Sequence, residues 1–176
     1  MDKKIIIIGP PGAGKSTFSF KLQELTGLPL YHLDLLYHKP DKTTVSKEEF
    51  DKKLNEILKK DEWIIDGLYL RTLESRLKDC DLIYFFDLPI EECLQGVINR
   101  KGKVRKDMPW VEEELDEEFM AYIRQFPDNQ YPRMLAMMER YKDKPMIVFK
   151  SHEEADEYLK GYGKQTESDT SDTAAL

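Results

Sequence analysis

Residues 5–16 read IIIIGPPGAGKS, four isoleucines running into a glycine-rich turn that ends on Lys15 and Ser16. The apolar run from Lys4 to Ile8 is β-branched and does not alternate with polar residues, as expected of a strand buried on both faces of a parallel sheet. Beyond the turn, Phe18, Leu22 and Leu25 recur at helical spacing until Gly27 and Pro29 end the pattern. The turn itself, Gly9 to Ser16, satisfies GxxxxGK[ST], in the context that motif requires: strand before, helix after. Gly12 and Gly14 let successive backbone N–H groups face inward as an anion nest, to which the helix start adds its free donors and positive dipole end. We therefore expect this P-loop to hold a nucleoside triphosphate, with ATP and Mg²⁺ as cofactors. Gly9, Gly12, Ala13, Gly14, Lys15, Ser16 and Thr17 line it, Lys15 reaches the β and γ phosphates, and Ser16 gives its hydroxyl to the metal.

The rest of the chain alternates strands and helices. LPLYHLD reads as a second strand ending in Asp34, WIID (63–66) as a third and DLIYFFD (81–87) as a fourth, and KPMIVFKS supplies a fifth. Helices are expected from a capping box at Ser46 and Glu49, around Leu73–Leu77, after Pro89, around 115–125 and 131–142, and from a second box at Ser151 and Glu154. Such alternation implies right-handed crossovers and an α/β fold of three layers, a five-stranded parallel sheet with helices on both faces. Residues 1–160 form one domain on this reading, and 161–176, without apolar periodicity, form a disordered tail.

In an open α/β sheet, chemistry gathers at the carboxyl ends of the strands. Asp66, Asp34 and Asp87 stand at three such ends, and Asp66 and Asp34 rank above Asp87. Asp66 joins Ser16 as the expected metal partner. Asp34 is placed to act as a base toward a hydroxyl acceptor, with a metal-bound water or a helix cap as its other roles. The segment RKGKVRK (100–106) gathers Arg100, Lys101, Lys103, Arg105 and Lys106, cations suited to closing over a phosphoryl group in transfer. Arg100 and Arg105 are taken with Lys15 and Asp34 as the catalytic set, and Tyr131, Arg133 and Arg140 as possible additions to that clamp. His32, His38 and His152 lack metal spacing and read as structural or local to the acceptor site, and Cys80 and Cys93 lack the spacing of a metal or redox pair and read as structural.

Acidic side chains number 34 against 27 basic in 176 residues, a net charge of -7, which disfavours broad attraction to nucleic acid. No stretch approaches the ~20 apolar residues of a membrane span, so no membrane role and a cytoplasmic address are expected. The charge and motif readings leave two functional classes. One is a phosphotransferase moving the ATP γ-phosphoryl to a small acceptor; the other is a nucleotide-gated regulatory module without such transfer. Nothing in the sequence speaks to oligomeric state.

Taken in order, the P-loop, YHLDLLY, WIIDGLYLR, LIYFFDLPIEECL, RKGKVRKDM and MIVFKS resemble the adenylate kinase-related group of P-loop proteins known as DNA topology modulation proteins. The resemblance implies a nucleoside monophosphate kinase-like plan with an acceptor-binding insertion near 35–60 and a small helical lid near 100–118. Two departures stand out. The D-G-F-P-R stretch of adenylate kinases reads here Asp66, Gly67, Leu68, Tyr69, Leu70, Arg71, which removes the basis for assigning adenosine monophosphate as acceptor. An arginine common in the group, early in the helix after the fourth strand, corresponds to Gly96. The charge balance does not support the DNA role in the group's name.

Overall fold

The computed structural model describes residues 2–173, with side chains through residue 162. Its centre is β1 (Lys4–Ile8), whose Ile5, Ile6, Ile7 and Ile8 are all buried. The unbroken isoleucine run follows from its place: β1 pairs in parallel with β3 (Trp63–Asp66) on one side and β4 (Leu82–Phe86) on the other. With β2 (Leu30–His32) outside β3 and β5 (Met146–Phe149) outside β4, the all-parallel order is β2-β3-β1-β4-β5. Ile6 and Ile8 point to the face covered by α3 (Lys47–Leu58), α4 (Leu70–Asp79) and α7 (Phe126–Glu139), through Phe50, Leu54, Leu73, Leu77 and Met134. Ile5 and Ile7 point to the other face. There α1 (Lys15–Thr26), α5 (Ile90–Arg100), α6 (Glu117–Arg124) and α8 (His152–Thr173) contribute Phe18, Leu22, Cys93, Ile123 and Leu159. This is the expected three-layer arrangement. The chain leaves β1 toward β2 and β3, then returns to β4 and β5, so a crevice opens at the carboxyl end of β1.

Local signals placed most elements. Ser46 caps α3, its Oγ accepting the Glu49 N–H at 3.1 Å, and Ser151 Oγ accepts the Glu154 N–H at 3.2 Å. Three boundaries differ. The second strand stops at His32, and Leu33–Tyr37 form a short helix, α2, so Asp34 lies in its first turn instead of at a strand end. The reason is packing: Leu33 is buried while Leu36 and Tyr37 meet the same core at helical spacing, and a carboxylate suits the positive end of a helix. α7 begins at Phe126, five residues ahead of the expected start, with Pro127 tolerated in its first turn and Pro132 inside it. The segment 101–116 between α5 and α6 is irregular, its helical character confined to those flanking helices. Gly161 and Tyr162 continue α8, and the rest of the tail expected over 161–176 lies outside the described side chains.

Candidate nucleotide and acceptor site

The P-loop reaches its shape through left-handed backbone at Gly12 (φ 79°) and Gly14 (φ 89°), the latter capping α1. Gly12 answers a second demand, since a Cβ there would stand 2.0 Å from the Cys93 carbonyl oxygen of α5. From the other side, a Cβ on Gly96 would stand 2.1 Å from the Gly12 carbonyl oxygen. The loop and α5 thus touch backbone to backbone, and an arginine at position 96 would have no room. Ala13 is fully buried, so its methyl belongs to the core and only its backbone serves the loop. The Ala13 carbonyl lies 3.2 Å from His152 Nε2, at the start of α8.

The P-loop opens into a cleft of about 1000 Å³ that Gly9, Gly12, Gly14, Lys15, Ser16 and Thr17 line in part. Lys15 folds across its own loop, Nζ donating to the Pro10 carbonyl at 2.7 Å. Burial lowers its pKa, and Asp66 and Asp34 oppose that shift.

Beside it, Ser16 Oγ donates to Asp66 Oδ2 at 2.6 Å, so the two residues expected at a metal do meet. Asp66 sits opposite Ile7 and His32 in the sheet register, between the P-loop strand and β2. The His32 pairing puts an imidazole on the same carboxylate, Nδ1 2.9 Å from Oδ2. Asp66 Oδ1 is buried without a protein partner. Hard oxygen donors with one lone carboxylate oxygen fit a small divalent cation of the Mg²⁺ type. Sequence reasoning left His32 as structural or local to the acceptor site; its position just ahead of Leu33 and Asp34 at the expected strand end was the available signal.

Of the basic segment, Arg100, Lys101, Arg105 and Lys106 line the cleft, whereas Lys103 is exposed and does not. The segment folds back over the P-loop through a residue that charge counting missed, Asp107. This carboxylate is 7% exposed and receives Arg105 through two N–H groups, each at 3.1 Å. Burial works against its charge, but Arg105 and the neighbouring Ser16 hydroxyl together hold its carboxyl below the usual range. Glu112 adds a second carboxylate, 3.0 Å from Arg100 Nε and 3.1 Å from an Arg105 NH group. Arg100 and Arg105 therefore sit in a paired network with Glu112 and Asp107.

Asp34 lines the same cleft from α2, and its Oδ1 accepts the Tyr69 hydroxyl at 2.7 Å. Tyr69 takes a left-handed conformation (φ 37°) at the start of α4. Arg76 holds that bend from beneath, fully buried, donating to the carbonyls of Gly67, Leu68 and Tyr69. Burial pulls the Arg76 pKa down to about 9, still above neutrality, so the staple remains cationic.

The remaining expectations fall away from the cleft. Asp87 pairs with Lys150, Arg140 with Glu74 at 3.1 Å, and Arg71 with Asp51. Tyr131 packs on Phe85, and neither it nor Arg133 lines the cleft, so neither joins the clamp. Tyr131 turns inward onto the sheet, while Arg71 and Arg140 pair with carboxylates of α3 and α4 on the surface.

No family model matches the chain. It is 34% identical over 106 residues to an adenylate kinase of Thermotoga maritima, covering 56% of this chain and 47% of that protein. With an adenylate kinase of Thermosipho africanus it shares 25% identity over 129 residues, 55% of this chain and 59% of the relative. The chain thus spans about half the length of the curated relatives it matches. Among solved structures it resembles shikimate kinase from Acinetobacter baumannii in complex with shikimate, with a TM-score of 0.62 at 18% identity over 95% of this chain and 94% of that one. Shikimate kinase from Bacteroides thetaiotaomicron gives a TM-score of 0.63 at 16% identity, over 95% and 99% of the two chains. The sheet order, the phosphate loop and these likenesses together give the chain the three-layer α/β fold of P-loop kinases.

Proposed function

We propose that this chain is an ATP- and Mg²⁺-dependent phosphotransferase that moves the γ-phosphoryl to a small acceptor bound beside Asp34. The observation that carries the reading is the meeting of Ser16 and Asp66 under the P-loop, with Arg100 and Arg105 over the same cleft. The adenylate kinases and shikimate kinases to which the chain is similar support the same chemistry.

On this reading the loop amides and Lys15 hold the β and γ phosphates, and Lys15 exchanges the Pro10 carbonyl for phosphate oxygen. Ser16 and Asp66 hold the metal, with His32 orienting the Asp66 carboxylate. Bound Mg²⁺ supplies neutralisation of phosphate charge during transfer. Arg105 and Arg100 leave Asp107 and Glu112 as phosphate charge builds, and the closed lid keeps water from the site.

The paired state of those arginines also suits the second reading, a module that binds ATP, moves its lid and signals without transfer. The two diverge in product. A phosphotransferase forms ADP in step with a phosphorylated small molecule, and a switch forms ADP slowly or not at all. Lys15→Ala is expected to keep the fold, since the side chain serves the cleft, and to lower turnover by a hundredfold or more, in line with loss of about 3 kcal/mol of transition-state stabilisation. Normal turnover with unchanged circular dichroism would rule out the phosphate-site assignment.

A further inference from the structure

The acceptor end of the cleft differs chemically from its phosphate end. Its floor is Asp34 with the Tyr69 hydroxyl on Oδ1. Tyr69 is set there by ring contacts, stacked on Phe50 at 5.3 Å and edge-on to Tyr37 at 5.6 Å. The roof is Trp110 from the lid, which meets the His38 ring edge-on at 4.9 Å. His38 Nδ1 is buried without a partner, and burial lowers the pKa of the ring. The walls are thus a carboxylate, a phenol, a neutral imidazole and an indole.

The arginines near this end are engaged elsewhere. Arg71 gives both terminal nitrogens to Asp51, at 2.8 and 2.7 Å, and neither residue lines the cleft. Arg76 is consumed by the three carbonyls of the 67–69 bend. Arg100 and Arg105 hold Glu112 and Asp107 in this structure and, on the phosphotransferase reading, turn from them to the transferring phosphoryl group, not to the acceptor. Among the described residues lining the cleft, the cation that the α2–α3 connection adds is Lys42, an exposed residue at φ 67°. An acceptor bearing a phosphate or carboxylate would face Asp34 and Glu112 without the planar fork that anion recognition favours. Aromatic walls with one carboxylate and an orphaned imidazole nitrogen instead suit a ring carrying hydroxyl groups and no charge.

We propose that the acceptor is an uncharged, ring-bearing alcohol, of the nucleoside, sugar or cyclitol class, held between Tyr69 and Trp110 with one hydroxyl on Asp34. The proposal rests on the phosphotransferase reading and narrows its acceptor. In the transfer, the acceptor oxygen forms a bond to the γ-phosphorus while the bond from that phosphorus to the β–γ bridging oxygen breaks. ADP leaves with the electron pair, and the hydroxyl proton passes to Asp34. The Tyr69 hydroxyl occupies Oδ1 and leaves Oδ2 for the acceptor; burial and the neighbouring Asp34 raise the Tyr69 pKa, so it remains a donor throughout.

The test is coupled ADP release by the full chain with ATP and Mg²⁺ across three sets of probes. These are nucleosides, hexoses and myo-inositol; nucleoside monophosphates; and carboxylated ring alcohols such as quinate. At least one uncharged ring alcohol should raise ADP release tenfold or more, with phosphorylated product in equal amount. Asp34→Asn should lower kcat for that acceptor by roughly a hundredfold with the KM for ATP little changed. Tyr69→Phe should raise the KM for that acceptor with the KM for ATP little changed, because the donor that holds the Asp34 carboxylate in place is gone. Stimulation confined to monophosphates or carboxylated compounds overturns the acceptor class and leaves the phosphotransferase standing. Failure of every probe while ATP is still bound overturns the phosphotransferase reading, and the acceptor proposal with it.

Discussion

Asp107 ties residues 101–116 to the P-loop, and on the phosphotransferase reading it sets the state of the lid. Its carboxylate is buried against Ser16, and it holds Arg105 in a two-point contact that a phosphate would compete for. Because its folded pKa is depressed, its contribution to lid closure is complete above the ordinary aspartate value of about 4 and is lost as pH falls through the lower folded value. Asp107→Asn keeps the shape and removes the charge, leaving Arg105 with Glu112 alone. Breaking a buried pair costs about 3 kcal/mol, so the variant lid should open at neutral pH. Trp110 on the lid reports this by fluorescence, since Trp63 is fully buried in β3. The wild-type chain should show an acid transition below about pH 4, and Asp107→Asn should show the open-lid signal at pH 7. Identical emission in the two proteins at pH 7 would show that Asp107 does not hold the lid.

At the scale of elements, two local devices position the site. The backbone contact between Gly12 and Gly96 docks α5 against the P-loop, replacing the arginine expected at 96 by close packing. The Arg76 staple determines the path from β3 to α4, and with it the placement of Tyr69 over Asp34. Arg76→Leu would leave buried carbonyls without donors, each at a cost of about 1–3 kcal/mol. A loss of at least ~3 kcal/mol is expected, a fall in Tm of roughly 6–12 °C for a domain of this size. Chemical and thermal unfolding measure it. A loss below about 1 kcal/mol would mean that the carbonyls find other donors.

At the scale of the molecule, the charge of -7 is distributed unevenly. Cations gather over residues 100–106, and two of them, Arg100 and Arg105, are already paired with Glu112 and Asp107. Such a surface lacks the broad basic face that duplex DNA requires. Binding to duplex DNA measured at about 50 and 200 mM salt is therefore expected to be weak at both, without the steep decline that release of many counterions produces. Tight binding that collapses as salt rises would favour the regulatory reading over the phosphotransferase.

What could be read from the sequence is what local order encodes. The buried strand, the glycine turn and the following helix are contiguous, so the P-loop was legible to the residue, as were both serine helix caps. The parallel sheet followed from alternating strands and helices, and Asp66 from its place at a strand end. Tertiary structure decided what depends on neighbours distant in the chain. His32 meets Asp66 because β2 lies beside β3, and Asp107 meets Ser16 because residues 101–116 fold back across 91 positions of sequence. Tyr131, Arg133 and Arg140 lie off the cleft for the same reason: composition names a side chain, and helix phase and packing aim it. Asp34 moved from a strand end into α2 because burial of Leu33 and packing of Leu36 and Tyr37 outweighed the β character of the residues before it. The P-loop end of the cleft is a local structure and was written in one stretch; the other end is an assembly of α2, α4 and residues 101–116, and exists only once the chain has folded.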